Sequence, residues 1–192
     1  MFLLSCGLLV FLGVHSLRIF APEWRLRMVI KHGRGVWKGA YSVLSLVGFA
    51  LLCWAYGNAR QQAVVLWSPP HGMRHLTALL MLFSWMLLLA AYVPGNIIKA
   101  RVHHPMLLAV NVWALAHLLA NGTSVQVLLF GSFFLWSVAC FISVRQRDRV
   151  DGTVYPAGRI SPTALTVVLG GVVWAGVTRY LHQMLIGVPI FG

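Results

Sequence analysis

VHHPMLLAVNVWALAHLLANGTSVQVLLFGSFFLWSVACFISV, residues 102–144, contains no Lys, Arg, Asp or Glu. About 20 apolar residues cross the hydrocarbon core of a bilayer, so this run is too long for one membrane helix and long enough for two. Asn121-Gly122 supplies the break, since both residues tolerate positive φ and form tight turns. Helices are expected on either side, at Pro105–Ala120 and at residues 125–144, forming a tight hairpin. Four more segments approach spanning length: Phe2–Phe20 and residues 39–56, 76–93 and 161–178. The expected fold is all-α: a polytopic membrane bundle of about six transmembrane helices. Residues 1–192 are expected to form a single domain, because no repeat, linker or low-complexity tract divides them.

Composition supports that reading. Hydrophobic residues make up 59% of the chain and charged residues 9%, with mean hydropathy +0.81. A soluble domain could not hide that much apolar surface. The formal net charge of +12 would suggest nucleic acid if the bases formed a face, but they sit in short loops beside apolar runs. No nucleic-acid partner is expected, and the lipid bilayer is. The first, third and fifth loops carry twelve of the 15 bases, from Arg18 to Lys38, Lys99 with Arg101, and Arg145 to Arg159. Only Arg60, Arg74 and Arg179 lie on the other side. By the positive-inside rule the odd loops are cytoplasmic and both termini lie outside. The first apolar stretch lacks a positive leading region and a small-residue cleavage site, so it reads as a retained span.

Cys6, Cys53 and Cys140 are scattered through apolar runs, without a C-x-x-C pair, and read as small packing residues. G-x-S-x-G, H-E-x-x-H and P-loop motifs are absent, which removes most support for hydrolase and nucleotidase chemistry. Only three carboxylates occur, Glu23, Asp148 and Asp151, none inside an apolar run. Chemistry at membrane depth must therefore lean on imidazole, hydroxyl, thiol or backbone groups. His15, His75, His104 and His117 lie in or at the edge of apolar segments, and an ionisable side chain there marks a working site by default. Neutral imidazole suits a transition metal or haem iron, but it also serves as a hydrogen-bonding link between helices. For His15 both roles stay open. His75 sits at the outer edge of its span and suits a solvated position, as do His32, His71, His103 and His182. His104 and His117 are separated by about 20 Å and 140° on one straight helix, so they cannot both serve one metal. Asn111 and Asn121 share their respective faces and can act as partners or as glue between helices.

The motifs HSLR (His15 to Arg18), KGAYSVLSLVGF (from Lys38), LWSPPHGMRHL (from Leu66) and HPMLLAVNVWALAHLLANG (from His104) resemble the NnrU family. That resemblance implies a bacterial inner-membrane protein associated with denitrification and nitric oxide metabolism. NnrU proteins are in turn distantly similar to the plastid 15-cis-zeta-carotene isomerase, a membrane haem b enzyme with histidine ligands to iron. This similarity implies non-covalent haem b with His15 and His117 as axial ligands, and His104 matching the histidine of the H-P pair. Depth favours His104 as the rival second ligand. With the first span entering from outside, His15 lies about 8 Å from the cytoplasmic edge and His117 about 20 Å, while His104 is closer to His15's level. The segment from His103 also resembles isoprenylcysteine-type membrane methyltransferases, which use S-adenosylmethionine. Their acidic and aromatic C-terminal motif is reduced here to Asp148, Asp151 and Tyr155. The functional expectation is an accessory haem protein meeting a diatomic gas or nitric oxide respiration components. The alternatives are cis–trans isomerisation of a hydrophobic polyene and, below it, methyl transfer.

Overall fold

The computed structural model describes residues 1–188 and 190. Among them the regular structure is helical apart from two isolated bridges, Val65 with Thr123 and Asn96 with Arg159. Helix α1 is Phe2–Phe20, α2 Pro22–Ala59, α3 Met73–Tyr92 and α4 Ile97–Val102. Helix α5 is Pro105–Ala120, α6 Ser124–Val150, α7 Ile160–Gly176 and α8 His182–Ile186. A 3-10 turn extends α2, and a π-helical turn, Val177–Leu181, joins α7 to α8. Each expected span falls on a helix. Five of the helices (α1, α2, α3, α6 and α7 with its continuation) are long and apolar enough to cross a membrane. The sixth, α5, has 16 residues and measures about 24 Å. The chain is an all-helical membrane protein.

Helix limits follow local chemistry. Pro22 and Pro105 start α2 and α5 at the position where a missing N–H costs nothing. The basic segment between the first two spans, expected as a loop, is largely helical. No breaker occurs after Pro22 until Gly33, whose φ of 82° and ψ of 157° interrupt α2. Likewise α6 continues past Val144 because Arg145, Gln146 and Arg147 are good helix formers.

By its contacts the chain divides into two compact units. The first comprises Met1–Trp67 with Gly122–Trp136. Here α1 and α2 approach so closely that a Cβ at either of two glycines would crowd the opposite backbone. A Cβ on Gly48 would stand 3.0 Å from the Phe11 nitrogen, and one on Gly7 3.0 Å from the Leu52 backbone. Leu4, Leu8, Leu52, Val125 and Leu129 are buried there. The strand-like segment before Trp67 is tied to the Asn121-Gly122 break, with the Leu66 N–H donating to the Gly122 carbonyl at 2.7 Å.

The second unit comprises Ser68–Asn121 and the chain from Ser137 onward. Its buried apolar positions are mainly small, including Ala78, Ala90, Ala109, Ala114 and Ala116, which lets α3 pack closely on α5 and α7. Polar links reinforce that packing. Ser84 donates to the Ala109 carbonyl at 2.8 Å, and the Trp174 indole donates to the Ala78 carbonyl at 2.9 Å. Asn111 donates to Ser137 at 3.1 Å, so it links helices rather than supporting an imidazole. Large apolar side chains such as Leu46, Leu135, Val168 and Val172 are exposed, as lipid-facing positions require.

Candidate functional site

In the first unit, His15 donates from Nδ1 to the Phe11 carbonyl one turn back, at 2.7 Å. A carbonyl only accepts, so Nδ1 holds the proton and Nε2 carries the lone pair. Aromatic rings wall the imidazole. Its centroid lies 4.4 Å from Phe11, 5.3 Å from Tyr41 and 6.1 Å from Trp136, the last meeting it edge-on. Ser16 returns its hydroxyl to the Leu12 carbonyl of the same helix at 2.6 Å.

Two buried polar atoms of this unit, Ser45 Oγ and Trp136 Nε1, have no hydrogen-bond partner among the described residues. Along α2, Ser45 lies between Tyr41, which meets His15, and Gly48, which meets Phe11. Leaving such a group unsatisfied costs about 1–3 kcal/mol. An orphaned donor on a ring that meets an imidazole, as Trp136 meets His15, is what a polar ligand atom would satisfy. An apolar cavity of about 350 Å³ runs along α1, lined by Leu9, Leu12, Gly13, Ser16 and Leu17 with Ser132 from α6.

In the second unit, His117 is anchored in the same way. Its Nδ1 donates to the Trp113 carbonyl at 2.8 Å, and the Trp113 ring lies 5.3 Å from the imidazole. Asn121 donates to the His117 backbone carbonyl at 2.8 Å, closing the end of the helix. A metal-ligating histidine characteristically donates its other N–H to a carbonyl or carboxylate, which fixes its tautomer. His15 and His117 both have that arrangement.

His104 differs. It stands at the N-cap of α5, and its Nε2 meets Asp148 Oδ2 at 2.6 Å. The Tyr155 hydroxyl donates to the same oxygen at 2.8 Å and lies 3.2 Å from His104 Nε2. Burial, then the adjacent Asp148 carboxylate, push the Tyr155 phenol above its usual range, so it remains a donor. His103 is not simply solvated. Its ring stacks on Tyr155 at 3.9 Å, within 1° of parallel, and its Nδ1 accepts from the Arg145 guanidinium. The backbone bends sharply there. His103 has φ 67° and ψ −49°, and the His104 N–H donates to the Val102 carbonyl at 2.8 Å. This is the rare γ-turn of positive φ, which costs on the order of 1–3 kcal/mol. Gly158 helps hold the opposing segment, since it packs where a Cβ would meet the Ile97 backbone.

His104 and His117 therefore occupy opposite ends of α5, in different company, as their spacing required. His75 is exposed at the start of α3. The pairing of Asp148 and Tyr155 with His104 escaped the sequence reading, although Asp148 is one of only three carboxylates in the chain. Among the described residues no group of three or more His, Cys, Asp or Glu is placed to hold a metal ion. A haem iron needs no such group, since one or two imidazoles suffice.

No curated protein and no solved structure matches the chain. The family model described as NnrU protein matches residues 3–190, nearly the whole sequence. On that match, the chain belongs to the NnrU family.

Proposed function

We propose that this NnrU-family protein is a haem b protein of the bacterial inner membrane, accessory to nitric oxide metabolism in denitrification. His15 and His117 are its axial-ligand candidates. The observation that carries the reading is the shared anchoring of the two imidazoles. In each, Nδ1–H is held by the carbonyl one turn back, which fixes the tautomer with its lone pair on Nε2, the form a metal-ligating imidazole takes. The aromatic wall around His15 and the unpartnered Trp136 indole N–H within it suit a flat apolar group with polar edges. Bound haem would supply an iron that exchanges one electron and, once one imidazole is displaced, could take a diatomic gas. The polypeptide fixes the imidazole tautomers and surrounds them with apolar side chains that exclude water.

His104 is the weaker second-ligand candidate, because Asp148 already engages its Nε2. The accessory role rests on what the family resemblance implies. Polyene isomerisation would use the same haem and differs only in the molecule admitted to it.

The test is a substitution series on protein purified with haem in mild detergent. Wild type should show a low-spin ferric spectrum. His15→Ala and His117→Ala should each lose haem or turn it high-spin, with added imidazole partly restoring the signal. His104→Ala should stay low-spin. An iron opened by His104→Ala and untouched by His117→Ala would make His104 the second ligand. For the role, a deletion strain grown on nitrite should accumulate nitric oxide; unchanged nitric oxide turnover would remove the denitrification assignment.

A further inference from the structure

We propose that the corner formed by Lys99, His103 and His104 is a binding site for an anionic glycerophospholipid whose headgroup carries a hydroxyl, as in phosphatidylglycerol. It is independent of the haem reading. A cavity of about 260 Å³ opens where α3 ends and α5 begins, lined by these three side chains with Ala91, Pro105 and Met106. That volume falls below the roughly 300–1,000 Å³ of drug-sized sites, so it fits a headgroup and the first part of an acyl chain rather than a whole ligand.

Hydrogen bonds already made by each ring decide what it can offer the cavity. The Arg145 guanidinium can only donate, so His103 must accept at Nδ1 and carry its proton on Nε2. His103 therefore offers a donor. His104 engages Asp148 through Nε2, so Nδ1 is the ring atom it can turn to a ligand hydroxyl, which can both donate and accept. Lys99 uses one N–H on the Ala91 carbonyl at 2.9 Å and keeps two more. One cation, one imidazole donor and one further imidazole nitrogen above an apolar floor match a phosphodiester with a neighbouring hydroxyl. The phosphate meets Lys99 and His103, the hydroxyl meets His104, and Pro105 and Met106 meet the acyl chain.

Charge selects against zwitterionic lipids. Arg101 and Arg145 add positive field beside Lys99, while Asp148 is the one carboxylate bonded at the corner and already accepts from His104 and Tyr155. The strained turn at His103 is held by its stacking on Tyr155 and by Arg145, so the donor is fixed before any ligand arrives. On the charge reading this end of α5 faces the cytoplasmic leaflet, where anionic headgroups and basic residues meet.

Native mass spectrometry of delipidated protein, titrated with defined lipids in detergent, tests the assignment. One phosphatidylglycerol per chain should be retained at least tenfold more strongly than phosphatidylcholine or phosphatidylethanolamine. Lys99→Gln should remove about tenfold of that preference. Lys38→Gln, which deletes an equal charge on a residue that does not line the cavity, should leave it unchanged. His104→Phe should cut the preference for phosphatidylglycerol over phosphatidic acid, which lacks the headgroup hydroxyl. Soluble glycerol 3-phosphate should compete only at millimolar concentration. Equal retention of all lipids, or wild-type retention by Lys99→Gln, overturns the site. Competition by glycerol 3-phosphate at lipid-like concentrations would make it a site for a soluble phosphate ester and overturn the lipid assignment.

Discussion

His15 and His104 are both imidazoles beside a tyrosine, yet their surroundings direct them to opposite chemistry. His15 gives its N–H to a neutral backbone carbonyl and is walled by Phe11, Tyr41 and Trp136. His104 faces a carboxylate that also receives the Tyr155 hydroxyl. A carbonyl fixes a neutral tautomer and frees a lone pair for a metal. A carboxylate favours whichever form places a proton between the rings and the acid, and it draws in charged neighbours. The contrast teaches that the type of partner, rather than the presence of a histidine at membrane depth, separates a ligand candidate from a polar corner.

The harshest way to break the contrast is to part α1 from α2. Gly48→Leu would force side-chain atoms into the Phe11 backbone, which carries the residue that anchors His15. Overpacking of this kind costs about 1–3 kcal/mol, and the melting temperature in detergent should fall accordingly. Gly13→Ala is the control, since nothing lies within 4 Å of its Cβ, and the helix should gain about 0.5–1 kcal/mol. Equal melting of the two variants would show that the α1–α2 approach does not hold the His15 site together.

The His104 corner should respond to alkali. Tyr155 is raised in the folded protein by burial and by Asp148, so its neutral form is favoured by folding. Stability from this source is complete below the ordinary tyrosine value of about 10 and is lost as pH rises through the folded value. Hydrogen exchange around Thr153–Tyr155 should therefore stay constant through neutral pH, once corrected for intrinsic rates, and accelerate in alkali. Asp148→Asn should move the alkaline onset to lower pH, and should leave the spectrum of any bound haem alone. An onset unaffected by Asp148→Asn would show that the carboxylate is not what holds the phenol.

A smaller effect is expected at Trp136. Its indole N–H is buried without a partner, so Trp136→Phe removes an unsatisfied donor and should not destabilise the ligand-free protein through hydrogen bonding. If that donor meets a bound group, haem should dissociate about 2- to 10-fold faster, the worth of one hydrogen bond. Unchanged haem dissociation would leave the indole as a packing ring only.

Much of the architecture was legible because bilayer thickness and proline are strong local rules. The limits of α1 and α5 coincide with the expected runs, one stopping before Pro22 and the other starting at Pro105. The basic segment after Phe20 was misread as loop because charge was weighed above the lack of a helix breaker before Gly33. At the site, sequence pointed to individual histidines but not to their partners. Phe11 and Trp113 act through backbone carbonyls one turn back, which any residue could supply. Asp148 and Tyr155 reach His104 across 44 and 51 positions, a tertiary pairing without local trace. The positive-φ turn at His103 was equally hidden, since proline two residues later constrains His104 and not His103.

The central claim is that the carbonyl-anchored imidazoles hold haem, and haem stoichiometry tests it most directly. Protein produced with haem supplementation and purified in mild detergent should give a pyridine haemochrome of b type near one equivalent per chain. The haem should be extractable with acidified organic solvent, because the sequence has no C-x-x-C-H attachment site. A content well below stoichiometric after supplementation would contradict the account, and His15 and His117 would then be hydrogen-bonding residues of the helix packing.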